Sequence, residues 1–346
     1  MTLAYGVLAG GGVCARVGER VVDLSSLDPV FATDSLNAFM ARGPEFWEQT
    51  RGRLDEGVEV VGEPAMPFAV ADYVDFYSSL HHATNVGRMF RPDAEPLLPN
   101  WRHLPVAYHG RSGTVVPSGT PVRRPQGQLG EGDFGPTRAL DIELEAGVVI
   151  GVPSSHGEPV PVERALDHVF GMVLVNDWSA RDIQGWEYRP LGPFLGKSFA
   201  TSVSRWLVPL SELEPFRVAA DPQDPEPLPY LREPPWAYDI PLEVELNGAV
   251  VASTSTRHLY WSLAQQIAHL TSNGASLRVG DLLATGTISG PEREQRGSLL
   301  ELSWAGREPI ELPDGSTRTF LEDGDEVVLR GEPLGEVRGR VEPASG

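Results

Sequence analysis

Lysine is nearly missing from this chain. Lys+Arg total 28, and only Lys197 is a lysine, so an ammonium stands in one place, the stretch LGPFLGKS at 191 to 198. Cysteine is as scarce: with Cys14 alone no intrachain disulfide can form, and its strand-like surroundings read it as a small buried hydrophobe. Long apolar runs are absent too. The longest, such as MVLV at 172 to 175, are far too short to cross a bilayer, and MTLAYGVLAG has neither the charged leader nor the apolar core of a signal peptide. The expectation is a cytoplasmic protein without a membrane partner. Basic charge is in deficit, 28 Lys+Arg against 48 Asp+Glu for a formal charge of -20, which repels nucleic acid and anionic lipid. An anionic ligand must then be captured by local cations or by a metal.

What is present is turn chemistry. The 346 residues include 37 glycines and 31 prolines, with 41% hydrophobic residues, enough for a full core. Residues 4 to 25 read as short strands broken by glycines, and DSLNAFMARGPEFWEQTRGRL has helix-like spacing interrupted at Gly43 and Pro44. Pro64 and Pro67 bracket a linker. Beyond it, PVAYHGR, TVVPSG, DIELEAGVVIGV, FGMVLVND, RWLVPL, YDIPLEVELNG, GDLLATGT, LLELSWAG and DEVVLRG read as short strands. The clearest helix is SLAQQIAHLTSNG, 262 to 274, stopped at Gly274. The proline-packed stretch from Glu214 to Trp236 cannot supply ladder hydrogen bonds and reads as a surface excursion. The expected class is mainly β, a barrel or sandwich with few helices.

Acids draw attention next. In LDIELEAG, Asp141, Glu143 and Glu145 alternate with apolar residues, and on a strand all three share one face. A solvated strand face looks the same. A hard cation such as Mg²⁺ or Ca²⁺ needs six or more oxygens, so further acids must join; Asp75 in DYVDFYSS and Asp177 after MVLVN are candidates that spacing cannot assemble. In SSLHHATNVG, read as a strand, only one of His81 and His82 can share a given face, and a lone histidine is more often structural than a base.

Taken in order, DYVDFYSSLHHATNVGRMFR, LPNWRHLPVAYHGR, LDIELEAGVVIG, VNDWSARDIQGWEYRPLGPFLGKSF, LATGTISGP and GSLLELSWAG resemble the fumarylacetoacetase (fumarylacetoacetate hydrolase) family, densely over about 67 to 331. The resemblance implies a small N-terminal SH3-like β-barrel at 1–66, shortened here, and a mixed β-roll or sandwich catalytic domain at 67–346. It implies a homodimer that cleaves 4-fumarylacetoacetate, a 1,3-diketo acid, in tyrosine and phenylalanine breakdown through homogentisate. Asp75, Glu143, Glu145 and Asp177 match the family's metal ligands, an all-oxygen set suited to Mg²⁺ or Ca²⁺, while Asp141 remains structural. His82, not His81, matches the water-activating histidine, with Glu301 as its carboxylate partner. Arg181, Gln184 and Lys197 match the residues that meet developing negative charge. Tyr77, Arg91, Tyr108, Tyr188 and Thr287 match substrate-binding positions.

Lys197 sits between FLG and SF, in an apolar, glycine-flanked turn where an ammonium is out of place on surface grounds. A compact ammonium approaches one oxygen or carbon more closely than a guanidinium fork. Two other readings compete: a sibling activity on acylpyruvates, or a β-rich binding protein in which the acids merely hold a metal.

Overall fold

Apolar alternation along Leu144–Ile150 and Val169–Asp177 lets one sheet serve two cores. In this computed structural model, which describes residues 2–345, even-numbered Leu144, Ala146, Val148, Met172 and Leu174 pack against Leu242, Val244, Val327 and Leu329. Odd-numbered Val149, Val173 and Val175 turn the other way and pack against Val7, Val13, Phe31 and Phe39. The period of two decides the split up to the bulge between Val149 and Ile150, beyond which odd-numbered Val169 joins the first core and even-numbered Phe170 the second. Each fully buried aliphatic side chain contributes roughly 1.5–3 kcal/mol, so both faces hold strongly.

The central sheet runs Ala107–His109, Tyr73–Phe76, Leu282–Ala284, Leu144–Ile150, Val169–Asp177, Thr201–Val203, Val115–Pro117, with Val208–Pro209 also paired to Val169–Asp177. It is mixed. Leu282–Ala284 is parallel to Tyr73–Phe76 and Thr201–Val203 is parallel to Val115–Pro117, the rest antiparallel. A second sheet, Ala249–Ser255, Pro241–Leu246, Glu326–Gly331, Gly335–Glu342 and Val122–Arg123, closes the even face. The mainly β expectation holds.

The N-terminal unit is an antiparallel meander of Leu3–Val7, Val13–Val17, Arg20–Asp23 and Val58–Glu59, with Cys14 buried on its second strand. Among the described residues the meander is open, because Leu3–Val7 and Val58–Glu59 are its two edges. Tyr5 exchanges backbone hydrogen bonds of 2.9 and 2.8 Å with Leu207, tying one edge to the residue just before Val208–Pro209 of the central sheet. The helical spacing after it resolves into Asn37–Met40 and Pro44–Arg51, separated at Gly43 as expected.

Helix Leu263–Thr271 begins at a capping box between Ser262 and Gln265 and is followed by Gly274 at φ 88°. The proline-rich stretch is a mostly exposed excursion whose ends, Arg217–Ala219 and Trp236–Tyr238, pair with each other. No described helix is long and apolar enough to cross a membrane.

Two segments differ from the strand reading. LLELSWAG forms the short helix Leu299–Leu302 and then a turn with Trp304, Ala305 and Gly306 all at positive φ. The Ser298 hydroxyl accepts the Glu301 N–H and so caps that helix. The histidine doublet lies in helix Leu80–Phe90, started by Ser79, whose hydroxyl accepts the His82 N–H. On a helix His81 and His82 diverge by about 100°, which separates them more gently than opposite strand faces.

Candidate active site

The odd face of the central sheet ends in carboxylates. Asp75, Glu145 and Asp177 continue the face on which Tyr73, Val149, Val173 and Val175 pack, so the acids prolong a hydrophobic surface. Glu143 lies just before strand Leu144–Ile150, where its carbonyl accepts the Asp177 N–H at 3.2 Å. All four acids are buried, and one oxygen from each lies within 4.8 Å of the others. The structure therefore separates LDIELEAG: Glu143 and Glu145 join this cluster, and Asp141 does not. The strand is broken between Asp141 and Leu144, and Asp141 pairs instead with Ser179.

Burial and mutual repulsion act together here. Burial first, then Asp177, raises Asp75 far above the usual carboxylate range, and burial with Asp75 does the same to Glu145. Asp75 Oδ1 and Glu145 Oε1 are buried without any hydrogen-bond partner, while Glu145 Oε2 accepts the Gly286 N–H at 3.1 Å. Unpartnered oxygens converging in a dry site fit a hard, oxygen-seeking divalent cation. Glu143 is held below its ordinary value despite burial, by Lys197 and Arg181 and then by His82.

Gly286 stands at φ 76°, and a Cβ there would collide with the Phe76 carbonyl. Gly286→Ala is expected to destabilise the fold by about 3 kcal/mol, read as a lowered urea midpoint, and to weaken cation binding by moving the Glu145 donor.

Lys197 fills one side of the cluster. Its Nζ donates to Asp177 Oδ2 at 2.7 Å and to Glu143, and these charges raise its pKa against the opposing effect of burial. Asp177 is further held by the Thr201 hydroxyl at 2.8 Å and the Tyr108 hydroxyl at 3.2 Å. Arg181 donates from Nη1 to Glu143 Oε1 at 2.8 Å and to Gln184 Oε1 at 3.3 Å, leaving its buried Nη2 without a partner.

His82 and Glu301 form the second half. His82 Nδ1 lies 2.6 Å from Glu301 Oε2. Burial would raise the Glu301 carboxyl, but His82 and then the donors of Asn85 and Ser289 bring it down to about 2. Glu301 Oε1 accepts from Asn85 Nδ2 at 2.9 Å, and Oε2 accepts from the Ser289 and Ser298 hydroxyls at 2.8 and 2.9 Å. With Nδ1 committed to the carboxylate, Nε2 is left as the nitrogen that can accept a proton.

Sequence reasoning did not reach Asn85, Ser289, Ser298 or Thr201. Two of them carry a signal: Asn85 follows His82 by three, one helix face, and Ser298 with Glu301 spells the S-x-x-E start of a helix.

The matched substrate positions are spread unevenly. The Tyr77 ring meets His82 edge-on at 5.3 Å, Tyr108 touches Asp177, and the Thr287 hydroxyl is buried without a partner. Arg91 donates to the Pro96 carbonyl at 2.6 Å and keeps a buried unpartnered Nε. Tyr188 ends helix Arg181–Glu187 and is 39% exposed, with the Arg189 guanidinium 5.1 Å from its ring centre. A groove of about 880 Å³ lies elsewhere, between the N-terminal meander and the second sheet. Its Arg205, Arg330 and Arg338 are paired with Glu63, Glu245 and Glu326, while the Arg16 guanidinium lies 5.1 Å from the Trp206 ring centre.

Buried acids able to hold a cation, together with a carboxylate-held imidazole, are the kind of groups that metal-assisted hydrolytic enzymes use. Comparison with known proteins narrows that class. The profile described as fumarylacetoacetate (FAA) hydrolase C-terminal matches residues 72–342. Human fumarylacetoacetase is 45% identical, with 96% of this chain and 91% of the human protein covered, and the Bos taurus enzyme gives the same identity and coverage. The chain belongs to the fumarylacetoacetate hydrolase family. Solved structures share the fold. Fumarylacetoacetate hydrolase from psychrophilic Exiguobacterium antarcticum superposes with a TM-score of 0.64 at 20% identity over 99% of both chains. Maleylpyruvate hydrolase from Sphingobium sp. SYK-6, in complex with manganese(II) ion and pyruvate, gives 0.59 at 16% identity, covering 99% of this chain and 100% of that one.

Proposed function

We propose that this chain is a fumarylacetoacetase, hydrolysing a carbon–carbon bond of 4-fumarylacetoacetate to fumarate and acetoacetate. The observation that carries the reading is the His82–Glu301 pair lying near the four-acid cage, in a chain 45% identical to human fumarylacetoacetase. Asp75, Glu143, Glu145 and Asp177 would hold a divalent cation, Mg²⁺ or Ca²⁺, which when bound supplies Lewis-acid polarisation of a 1,3-diketone.

The chain's own side chains divide the remaining work. Glu301 orients His82, and His82 Nε2 takes a proton from the attacking water as that water adds to the carbonyl on the fumaryl side. The carbon–carbon bond then breaks, its electron pair passes to the acetoacetate carbon, and the proton returns there. Lys197 has three N–H donors and spends two on Asp177 and Glu143, leaving one to meet the developing charge. The unpartnered Nη2 of Arg181 and the amide of Gln184 are the other donors. Such prearranged donors are worth about 3–4 kcal/mol each by analogy with oxyanion holes. Tyr77, Arg91, Tyr108, Tyr188 and Thr287 would bind the substrate.

Residues 67–346 would be the catalytic domain and 1–66 a brace against it. A homodimer would cover exposed Leu191, Phe194 and Leu195. The site of action would be the cytoplasm, within tyrosine and phenylalanine breakdown.

The test follows loss of the fumarylacetoacetate ultraviolet band with and without chelator, beside acylpyruvates at equal concentration. Preference for an acylpyruvate would overturn the reading. Lys197→Arg is expected to lower kcat at least tenfold with the fold intact by circular dichroism, because a broad planar guanidinium replaces the compact ammonium and cannot aim a single N–H at the reacting oxygen or carbon in the same way.

A further inference from the structure

We infer that Asp141, which the reaction above leaves unused, is a positioning residue that fixes Arg181 relative to the turn carrying Glu301. This inference rests on the proposed hydrolysis. Asp141 is fully buried, where an ionised carboxylate persists only if its oxygens are well supplied with donors. Four donors meet it. Oδ1 accepts the N–H groups of Ile142 at 2.7 Å and Leu299 at 2.8 Å, and Oδ2 accepts the Leu300 N–H at 3.1 Å and Arg181 Nε at 2.8 Å.

Apart from its neighbour Ile142, every donor belongs to one of two elements. Leu299 and Leu300 open the helix whose third residue is Glu301, and Arg181 opens helix Arg181–Glu187. From Arg181 the chain of contacts continues through Nη1 to Glu143 in the acid cage. From the Glu301 turn it continues to His82. One fully buried carboxylate thereby joins the water-activating pair to the cation cage.

An amide in its place would keep the shape but turn an NH₂ toward Arg181 Nε or the Leu300 N–H, setting donor against donor. Both elements would then shift together. Asp141→Asn is expected to lower kcat for fumarylacetoacetate about 30-fold with KM within threefold, while far-UV circular dichroism at 25 °C stays unchanged. The decisive measurement repeats the substitution in Arg181→Gln and Glu301→Gln backgrounds. Because Asp141 acts through both residues, its kcat deficit should shrink at least threefold in each.

A deficit that multiplies in full in either background overturns the inference, as does wild-type kcat in Asp141→Asn. Should that variant not fold, Asp141→Glu keeps the charge but displaces it by one methylene. The same kcat loss and the same shrinkage are then expected, and wild-type kcat again overturns the inference. Wild-type protein with no turnover would instead overturn the proposed hydrolysis, a different failure from a fully active enzyme indifferent to Asp141.

Discussion

His82→Ala is expected to lower kcat by about 10³-fold, within the range for loss of a positioned general base and equivalent to about 4 kcal/mol of barrier. The fold should survive, because Glu301 keeps three donors, from Asn85, Ser289 and Ser298, and is not left as a bare buried charge. Burial favours a protonated Glu301, and in the intact site His82 first, then Asn85 and Ser289, bring its carboxyl down to about 2. The adjacent His81→Ala serves as a control: that ring meets His258 edge-on at 5.8 Å rather than Glu301, so kcat should stay within twofold of wild type. Steady-state assay of both variants beside wild type decides the matter, and equal losses would remove His82 from its role.

Stripping the divalent cation with a chelator is expected to abolish measurable turnover and to lower the melting temperature by roughly 5 °C. The two effects share one cause. Four buried carboxylates, two with unpartnered oxygens, lose the charge that reconciles them. A cation present at about 100 times its dissociation constant stabilises the folded state by about 2.7 kcal/mol, which for a chain of this size corresponds to several degrees. Differential scanning calorimetry with and without chelator measures it, and adding back Mg²⁺ or Ca²⁺ should restore both quantities together. Activity that survives exhaustive chelation would contradict the assignment.

Sequence and structure agree where the deciding forces are local or periodic. The alternation in DIELEAGVVIGV and FGMVLVND marks strands because burying one face against each core requires it, and Ser262 with Gln265 marks a helix start within four residues. The turn holding Glu301 was misread because Leu299, Leu300 and Leu302 satisfy a strand pattern as well as a helical one. What settles its conformation includes the Asp141 carboxylate, 158 residues away, accepting the Leu299 N–H. The acid cage was likewise invisible to spacing. Asp75, Glu145 and Asp177 come together through ladders joining strands far apart in the chain; the sequence offered them only as separate candidates, and the resemblance to a family grouped them as one set.

Odd positions of the two central strands serve oil at one end and a cation at the other. Inserting one residue into either strand beside the acids would exchange its faces there, sending carboxylates into the aliphatic layer and even-numbered neighbours such as Ala146 or Leu174 toward the cage. Neither half could adapt without ruining its counterpart. Changes of length are therefore expected to be tolerated in the connecting loops, where they leave the spacing between the apolar buttress and the acids unaltered.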